Sequence, residues 1–381
     1  MPHLRELPSP LAINMWDFTW LTRHYATDPL GDWDRALDEL VDRGYNALRI
    51  DCFPQLVAAG PDGQRPETST FSPKKLGFAV WGNAWTTTVN PRQDLLDFLG
   101  KCRDREVFVG LSTWFWEDAD KRNTRIQGLA EFVRVWDETL QFLDDHDALG
   151  NVIYVDLLNE YPYWHGFTWL TKMLEAISEP IVLGGGLNPR QREFHRQFIY
   201  DALDQLRSRW PSLDFLASQT HNWQEHADMD YRHFGLIDSH IWFVHHPDFG
   251  GTTGYNAEIH PMERDAKWAE VHGAMKTMWT ERRAEFITWM EGRLAEMAAV
   301  AGRFNIPLGN TEGWGAICWC DHPAFDWELI KDAGEICAHL GAKHGFAFNC
   351  TSNFNHPYFG LWQDIEWHRK VTGIIKQGNT T

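Results

Sequence analysis

The chain has 381 residues, 43% of them hydrophobic, enough to bury a large core as a single domain over 1–381. Its 53 acidic against 35 basic side chains give a formal charge of −18, which argues against nucleic acid or an anionic membrane as a partner. No apolar run is long enough for a transmembrane helix, and Met1 to Pro8 hold no apolar signal-peptide segment, so a cytoplasmic protein is expected.

Taken in chain order, a first strand is predicted over 11–16, leading to Asp17. Asp32 then caps a helix whose Leu37, Leu40 and Val41 share a face, and Gly44 ends it. A second strand, 46–50, leads to Asp51, and Arg49 lies at its end. The stretch 55–88 is too long for a plain connection and reads as an active-site loop. Asn90 and Pro91 are the N-cap and first residue of a helix to about Asp104, followed by a third strand, 107–112, with Trp114 and Trp116 at its exit. After a helix over 129–145, the run Val152 to Leu158 is apolar at both parities, as a strand buried on both faces is. It stops at Asn159-Glu160-Tyr161-Pro162, because proline has no N–H to offer a neighbouring strand.

The same alternation continues to the end of the chain. A long insertion over 161–189 precedes a helix over 190–209 and a fifth strand, 214–218, which exits into Gln219, His221 and Trp223. A sixth strand, 235–243, carries His240 and Trp242, and the loop 244–261 follows with His245 and His246. A long helical region over 262–302 leads to a seventh strand, 306–310. Helix 326–340, strand 345–349 and helix 361–375 complete the chain. Eight strand-then-helix units with polar and aromatic residues gathered after the strands describe a (β/α)8 barrel. No linker, internal repeat or low-complexity segment divides it.

The seventh strand ends in Gly309-Asn-Thr-Glu-Gly-Trp-Gly315, which makes Glu312 the positional counterpart of Glu160. Two carboxyls opposed at strand mouths suit glycoside hydrolysis, one protonating the leaving oxygen and the other stabilising the oxocarbenium-like centre. The 21 tryptophans fit a sugar-binding surface, because indole offers a flat apolar face with one N–H at its edge. Core filling accounts for about half of them.

The pairing of LLNEYP after the fourth strand with NTEGWG after the seventh resembles clan A of the glycoside hydrolases, especially its cellulase-like, family 5-type members. The resemblance implies a retaining mechanism with Glu160 as acid/base, Glu312 as nucleophile and Asn159 holding the sugar 2-hydroxyl. It further implies that Arg49 keeps Glu312 ionised and that His240 is the sixth-strand histidine of a His-x-Tyr element. Three departures stand out: Trp242 replaces the tyrosine, the third strand lacks its histidine, and the eighth lacks its tryptophan. Strict alternation would also send Asn159 and Glu160 to opposite sides, so the strand end must twist or bulge.

Other residues expected at the site are Trp16, Asp51, Trp114, Trp164, His221 and Trp314, all as substrate contacts. Arg49 has a plain alternative, an ion pair with Asp51, Asp156 or Glu160, and Asp156 reads as structural. His245 and His246 with His221, His240 and Asp248 match no standard zinc spacing, so no metal and no cofactor are expected. The six cysteines lack a CxxC and read as reduced thiols. The expected activity is retaining hydrolysis of oligosaccharides or small glycosides, exo-acting from a pocket walled by the three long insertions. A transglycosylase and a non-catalytic sugar-binding barrel are the alternatives, and the oligomeric state is open.

Overall fold

The structure is a computed structural model that describes residues 3–72, 83, 85–163, 167–177, 186–220, 226–254, 265–315, 327–353 and 355–378. Eight parallel strands form its centre: β1 (Leu11–Asp17), β2 (Ala47–Asp51), β3 (Phe108–Ser112), β4 (Val152–Asp156), β5 (Phe215–Leu216), β6 (Ile237–Asp238), β7 (Leu308–Asn310) and β8 (Phe348–Cys350). They are ordered β5-β4-β3-β2-β1-β8-β7-β6, and a parallel bridge between Gln219 and Ser239 joins the two ends. The result is the predicted (β/α)8 barrel. No helix among the described residues is long and apolar enough to cross a membrane.

Every residue of β1, β2 and β4 is buried, because helices cover the outside and side chains fill the inside. The filling is aromatic. A Cβ on Gly110 would stand 2.1 Å from the Tyr154 ring, and one on Gly309 would stand 2.4 Å from the Phe348 ring. These glycines admit the two rings, whose centroids lie 5.8 Å apart across the barrel. Gly110 is also the register partner of Arg49, so the packed interior forms a floor directly beneath the charged site.

The helices start where capping residues place them. Asp32 accepts a hydrogen bond from Arg35 N–H before α1 (Trp33–Asp42), and Asn90 accepts one from Gln93 N–H before α2 (Pro91–Asp104). Leu37 and Leu40 of α1 are buried as expected, but Val41 turns outward and is 42% exposed. Helices α3 (Leu129–Asp144), α4 (Thr168–Ile177), α5 (Pro189–Arg209), α6 (Pro247–Thr252), α7 (Asp265–Phe304), α8 (Trp327–Lys343) and α9 (Ile365–Lys376) follow. α7 kinks at Arg282. Between β5 and β6 the described residues include a 3-10 turn, Tyr231–His233.

The later strands are shorter than predicted. The stretch expected as a strand over 235–243 pairs only at Ile237–Asp238, because the chain turns into a 3-10 helix at Phe243–His245. The three insertions carry structure of their own: an antiparallel ribbon of Ser69–Phe71 with Thr87–Val89 in the first, α4 in the second and α6 in the third. Cys52, Cys102, Cys337 and Cys350 are free and buried, while Cys318 and Cys320 lie outside the described residues.

Candidate active site

Arg49 is the hub. It is fully buried and spans the barrel from β2 to the loop after β7. Its Nε donates to Asp17 Oδ1 at 3.0 Å and its Nη2 to Asp17 Oδ2 at 3.1 Å, while Nη2 also donates to Glu312 Oε1. Nη1 donates to Thr311 Oγ1 at 2.7 Å. The plain alternative of a pair with Asp51, Asp156 or Glu160 is therefore corrected: its partners are Asp17 and Glu312. A planar fork holds Asp17 in a bidentate pair while reaching Glu312, a fixed geometry that the point charge of lysine lacks.

Glu160 reaches the same centre by a backbone device. Its φ is +49°, a left-handed conformation that side chains rarely adopt, and its N–H donates to Ser218 Oγ at 2.9 Å. This is the twist that alternation required. Asn159, one residue earlier, donates its N–H to Thr113 O, and its Oδ1 lies 3.4 Å from the Ser218 hydroxyl. Its Nδ2 is buried without a hydrogen-bond partner, so the amide retains a donor for a ligand.

His240 stands between the two carboxyls. Its Nδ1 is 2.9 Å from Glu160 Oε1 and 3.4 Å from Glu312 Oε1, and one oxygen of each glutamate lies within 4.8 Å of the other. On the ring's far side Nε2 is 3.1 Å from Thr311 Oγ1, 3.4 Å from Asp238 Oδ2 and 3.0 Å from Arg49 Nη1. Burial alone would lower the imidazole. The carboxylates of Glu312 and Asp238, with hydrogen bonds to Asp238 and Glu160, outweigh it and hold the ring well above its ordinary value. Three carboxyls face the ring against one guanidinium already paired with Asp17, so the charged form is favoured.

Glu312 behaves differently from expectation. Arg49 and His240 both pull its carboxyl down, but burial is the largest effect and Glu160 adds to it, so the group rises to about 7. Arg49 alone does not keep it in the ordinary carboxylate range. Asp17 adds to the rise in the same sense as Glu160, within a site where six buried carboxyls, those of Asp17, Asp51, Asp156, Asp238, Glu160 and Glu312, stand against two bases, Arg49 and His240. Glu312 and Asp51, both raised to about 7, thus retain protons near neutral pH.

The remaining predicted residues separate into near and far. Trp114 belongs to the site's frame, its Nε1–H donating to Asp17 Oδ2 at 3.1 Å. Trp242 lies edge-on to His240, with ring centroids 6.1 Å apart and its own N–H buried and unpartnered. Asp51 is corrected to a loop tie, because its two oxygens accept the N–H groups of Phe53 and Trp114. Trp16 is corrected to core packing: fully buried, it lies against Phe98 of α2, on the outside of the barrel. Trp314 is also fully buried, its N–H donating to Cys350 O at 3.0 Å. Trp164 and His221 lie outside the described residues.

Sequence reasoning missed Asp238, Thr311 and Ser218. The signal available for Asp238 was its place two residues before His240, on the same face of a strand. Glu160, His240 and Glu312 also offer a spacing that a metal would accept. The guanidinium on Glu312 and the charged imidazole both oppose a cation there.

A family model described as "Sugar-binding cellulase-like" matches residues 13–376. Among solved structures, a candidate glycoside hydrolase from Parabacteroides distasonis is 28% identical with a TM-score of 0.84, over 98% of this chain and 95% of that one. Cel5A of Thermotoga maritima, solved with mannotriose, shares the fold at 12% identity and a TM-score of 0.57, over 96% and 97% of the two chains. The cellulose synthase subunit Z of Clostridioides difficile does so at 10% and 0.55, over 96% and 99%. No curated protein sequence matches the chain. With a barrel of the clan A glycoside hydrolase type and a family match along nearly its whole length, the chain belongs to the sugar-binding, cellulase-like family.

Proposed function

We propose that this protein hydrolyses an O-glycosidic bond with retention of configuration, with Glu160 as acid/base and Glu312 as nucleophile. The observation that carries the reading is the approach of the two glutamates, within 4.8 Å at their closest oxygens. Retaining pairs stand about 5–5.5 Å apart, whereas inverting pairs leave room for a water at about 6.5–9.5 Å. Glu160 gives its proton to the glycosidic oxygen as the C1–O bond breaks, and a Glu312 oxygen attacks C1 to form the glycosyl ester. Water then gives a proton to Glu160 and its oxygen to C1, which frees Glu312. The unpartnered Asn159 amide supports a role for that residue as a donor to the substrate.

The mouth of the barrel supports a small substrate. Insertions after β2, β4 and β6 crowd one end and carry helices or a ribbon of their own, which suits a walled pocket and release of one small sugar at a time. The test is a panel of dinitrophenyl and nitrophenyl β-glucosides, β-cellobiosides and β-mannosides, beside β-1,4-glucan and β-1,4-mannan with matched oligomers. Burst release from an activated glycoside, with the β-anomer formed first, is expected, and a transglycosylase would instead pass the sugar to an added acceptor. Rapid viscosity loss with mixed mid-length products would mean an open cleft. Binding without turnover of any member would favour a non-catalytic sugar-binding barrel.

Arg49 offers an internal check. Glu312 must be ionised to attack, so the acidic limb of kcat/KM is expected near 7 and not near 4. Arg49→Met removes a charge that lowers Glu312, so the limb should move upward by about one pH unit or more. An unmoved limb would confine Arg49 to tying Asp17.

A further inference from the structure

Asp238 touches neither glutamate, yet the polar network joins it to both. It is fully buried at the end of β6. Its Oδ1 accepts the Thr311 N–H at 2.9 Å and its Oδ2 accepts the Thr311 hydroxyl at 2.6 Å. Both polar groups that Thr311 could turn elsewhere are thereby fixed, and the next residue is Glu312. The same Oδ2 is 3.4 Å from His240 Nε2, while the opposite ring nitrogen meets Glu160. We propose that Asp238 is a positioning residue of the catalytic pair, acting on Glu312 through Thr311 and on Glu160 through His240. The proposal rests on the roles assigned above to Glu160 and Glu312.

The physical argument concerns which way a mobile ring and a loop are held. A buried imidazole between a carboxyl and a carboxylate is oriented by its second nitrogen's partner, as in other His-carboxylate pairs. The groups facing His240 are Glu160 from the β4 end, Asp238 from β6, Thr311 and Glu312 after β7, and Arg49 from β2, with Asp17 behind the guanidinium. Arg49 Nη1 and Thr311 share the Nε2 side, so without Asp238 the balance on that nitrogen shifts from anionic to cationic. The ring would then give up its Nε2 proton, and with it the positive charge that faces Glu160 and Glu312, and would keep only Nδ1–H.

Asp238→Asn is the variant of choice, since its amide oxygen can still accept the Thr311 N–H while the negative charge is gone. Two readouts are needed. In wild type, ¹⁵N-histidine NMR, assigned with His240→Asn, should show both His240 ring nitrogens protonated at pH 7. In Asp238→Asn the ring should lose its second proton at least about one pH unit lower, and the basic limb of kcat/KM on the best aryl glycoside should move the same way. A His240 ring that is neutral in wild type at pH 7 overturns the proposal, and this arm holds even where the variant does not fold. Unmoved His240 resonances and limbs, with only a lower melting temperature, overturn it as well and leave Asp238 a merely structural acid. The NMR arm is independent of turnover. Failure of the glycosidase reading would appear instead as absence of azide rescue in Glu312→Ala, with the His240 titration intact.

Discussion

Glu312→Ala should lower turnover on the order of 100,000-fold, the scale of loss when a covalent nucleophile is removed. Added azide should restore product as the glycosyl azide of inverted configuration, because it attacks from the face that Glu312 vacates. Glu160→Ala should behave otherwise. Substrates with dinitrophenyl leaving groups need no protonation, so their bond cleavage should be spared, while poorer leaving groups lose the full acid assistance of about 100- to 10,000-fold. Azide should speed the second step of this variant with retained configuration. The contrast follows from their different supports: Glu312 is clamped by Arg49, whereas Glu160 is held by Ser218 and His240. Equal response of both variants to leaving-group acidity would reverse or abolish these roles.

The parts of the site that were legible in the sequence are those that one strand end specifies alone. A doubly buried run that stops at Asn159-Glu160, and a Gly-rich turn around Glu312, announce strand mouths without help from the rest of the chain. The partner of Arg49 was not legible. Asp17, Asp51 and Asp156 all sit near strand ends, and which one meets the guanidinium depends on a register shift between Met15 and Asp17 where β1 pairs with β2. Asp17 itself has φ +34°.

Tryptophan shows the same limit from the other side. Sequence context placed Trp16 and Trp314 at the mouth beside polar residues, and both are within a few residues of it. Yet a strand end has an inner and an outer face, and a single residue's shift decides between sugar and core. The indole N–H groups reveal a structural use: Trp20 donates to Asp51 O, Trp136 to Leu157 O and Trp314 to Cys350 O. Each pins the backbone just behind a strand end. Fixed strand ends are what allow Arg49, His240 and the two glutamates to hold their spacing.

Acid should destabilise the fold through histidines far from the chemistry, and His368 of α9 is the clearest case. Tyr45 OH lies 2.8 Å from its Nδ1 and Leu361 O lies 3.1 Å from its Nε2, so a neutral ring accepting from tyrosine and donating to the carbonyl satisfies both. A second proton would reverse the first of these bonds and leave a charge in a buried site. Burial accordingly depresses the group from 6.5 to about 3, and burial also takes His226 to about 3. The unfolded chain binds these protons below about pH 6.5 and the folded chain does not, so stability falls as pH drops through that window. At pH 4.5 each histidine should cost about 2–3 kcal/mol relative to pH 8, a large part of a typical total of about 5–15 kcal/mol. Glu312 and Asp51 work in the opposite sense. Burial raises both to about 7, so the folded state regains stability as pH falls from 7 toward 4.5. The two sets offset each other down to about pH 4.5, and below it Glu312 adds nothing more while the histidine loss continues. Urea unfolding of His368→Gln, which keeps a donor for Leu361 O, should therefore lose less stability than wild type between pH 8 and pH 4.5, by about 2 kcal/mol. Glu312→Gln should show the reverse, gaining most over wild type at pH 8. Parallel pH curves for wild type and His368→Gln would mean that the ring takes up its proton in the folded state, and the neutral wiring to Tyr45 would be wrong.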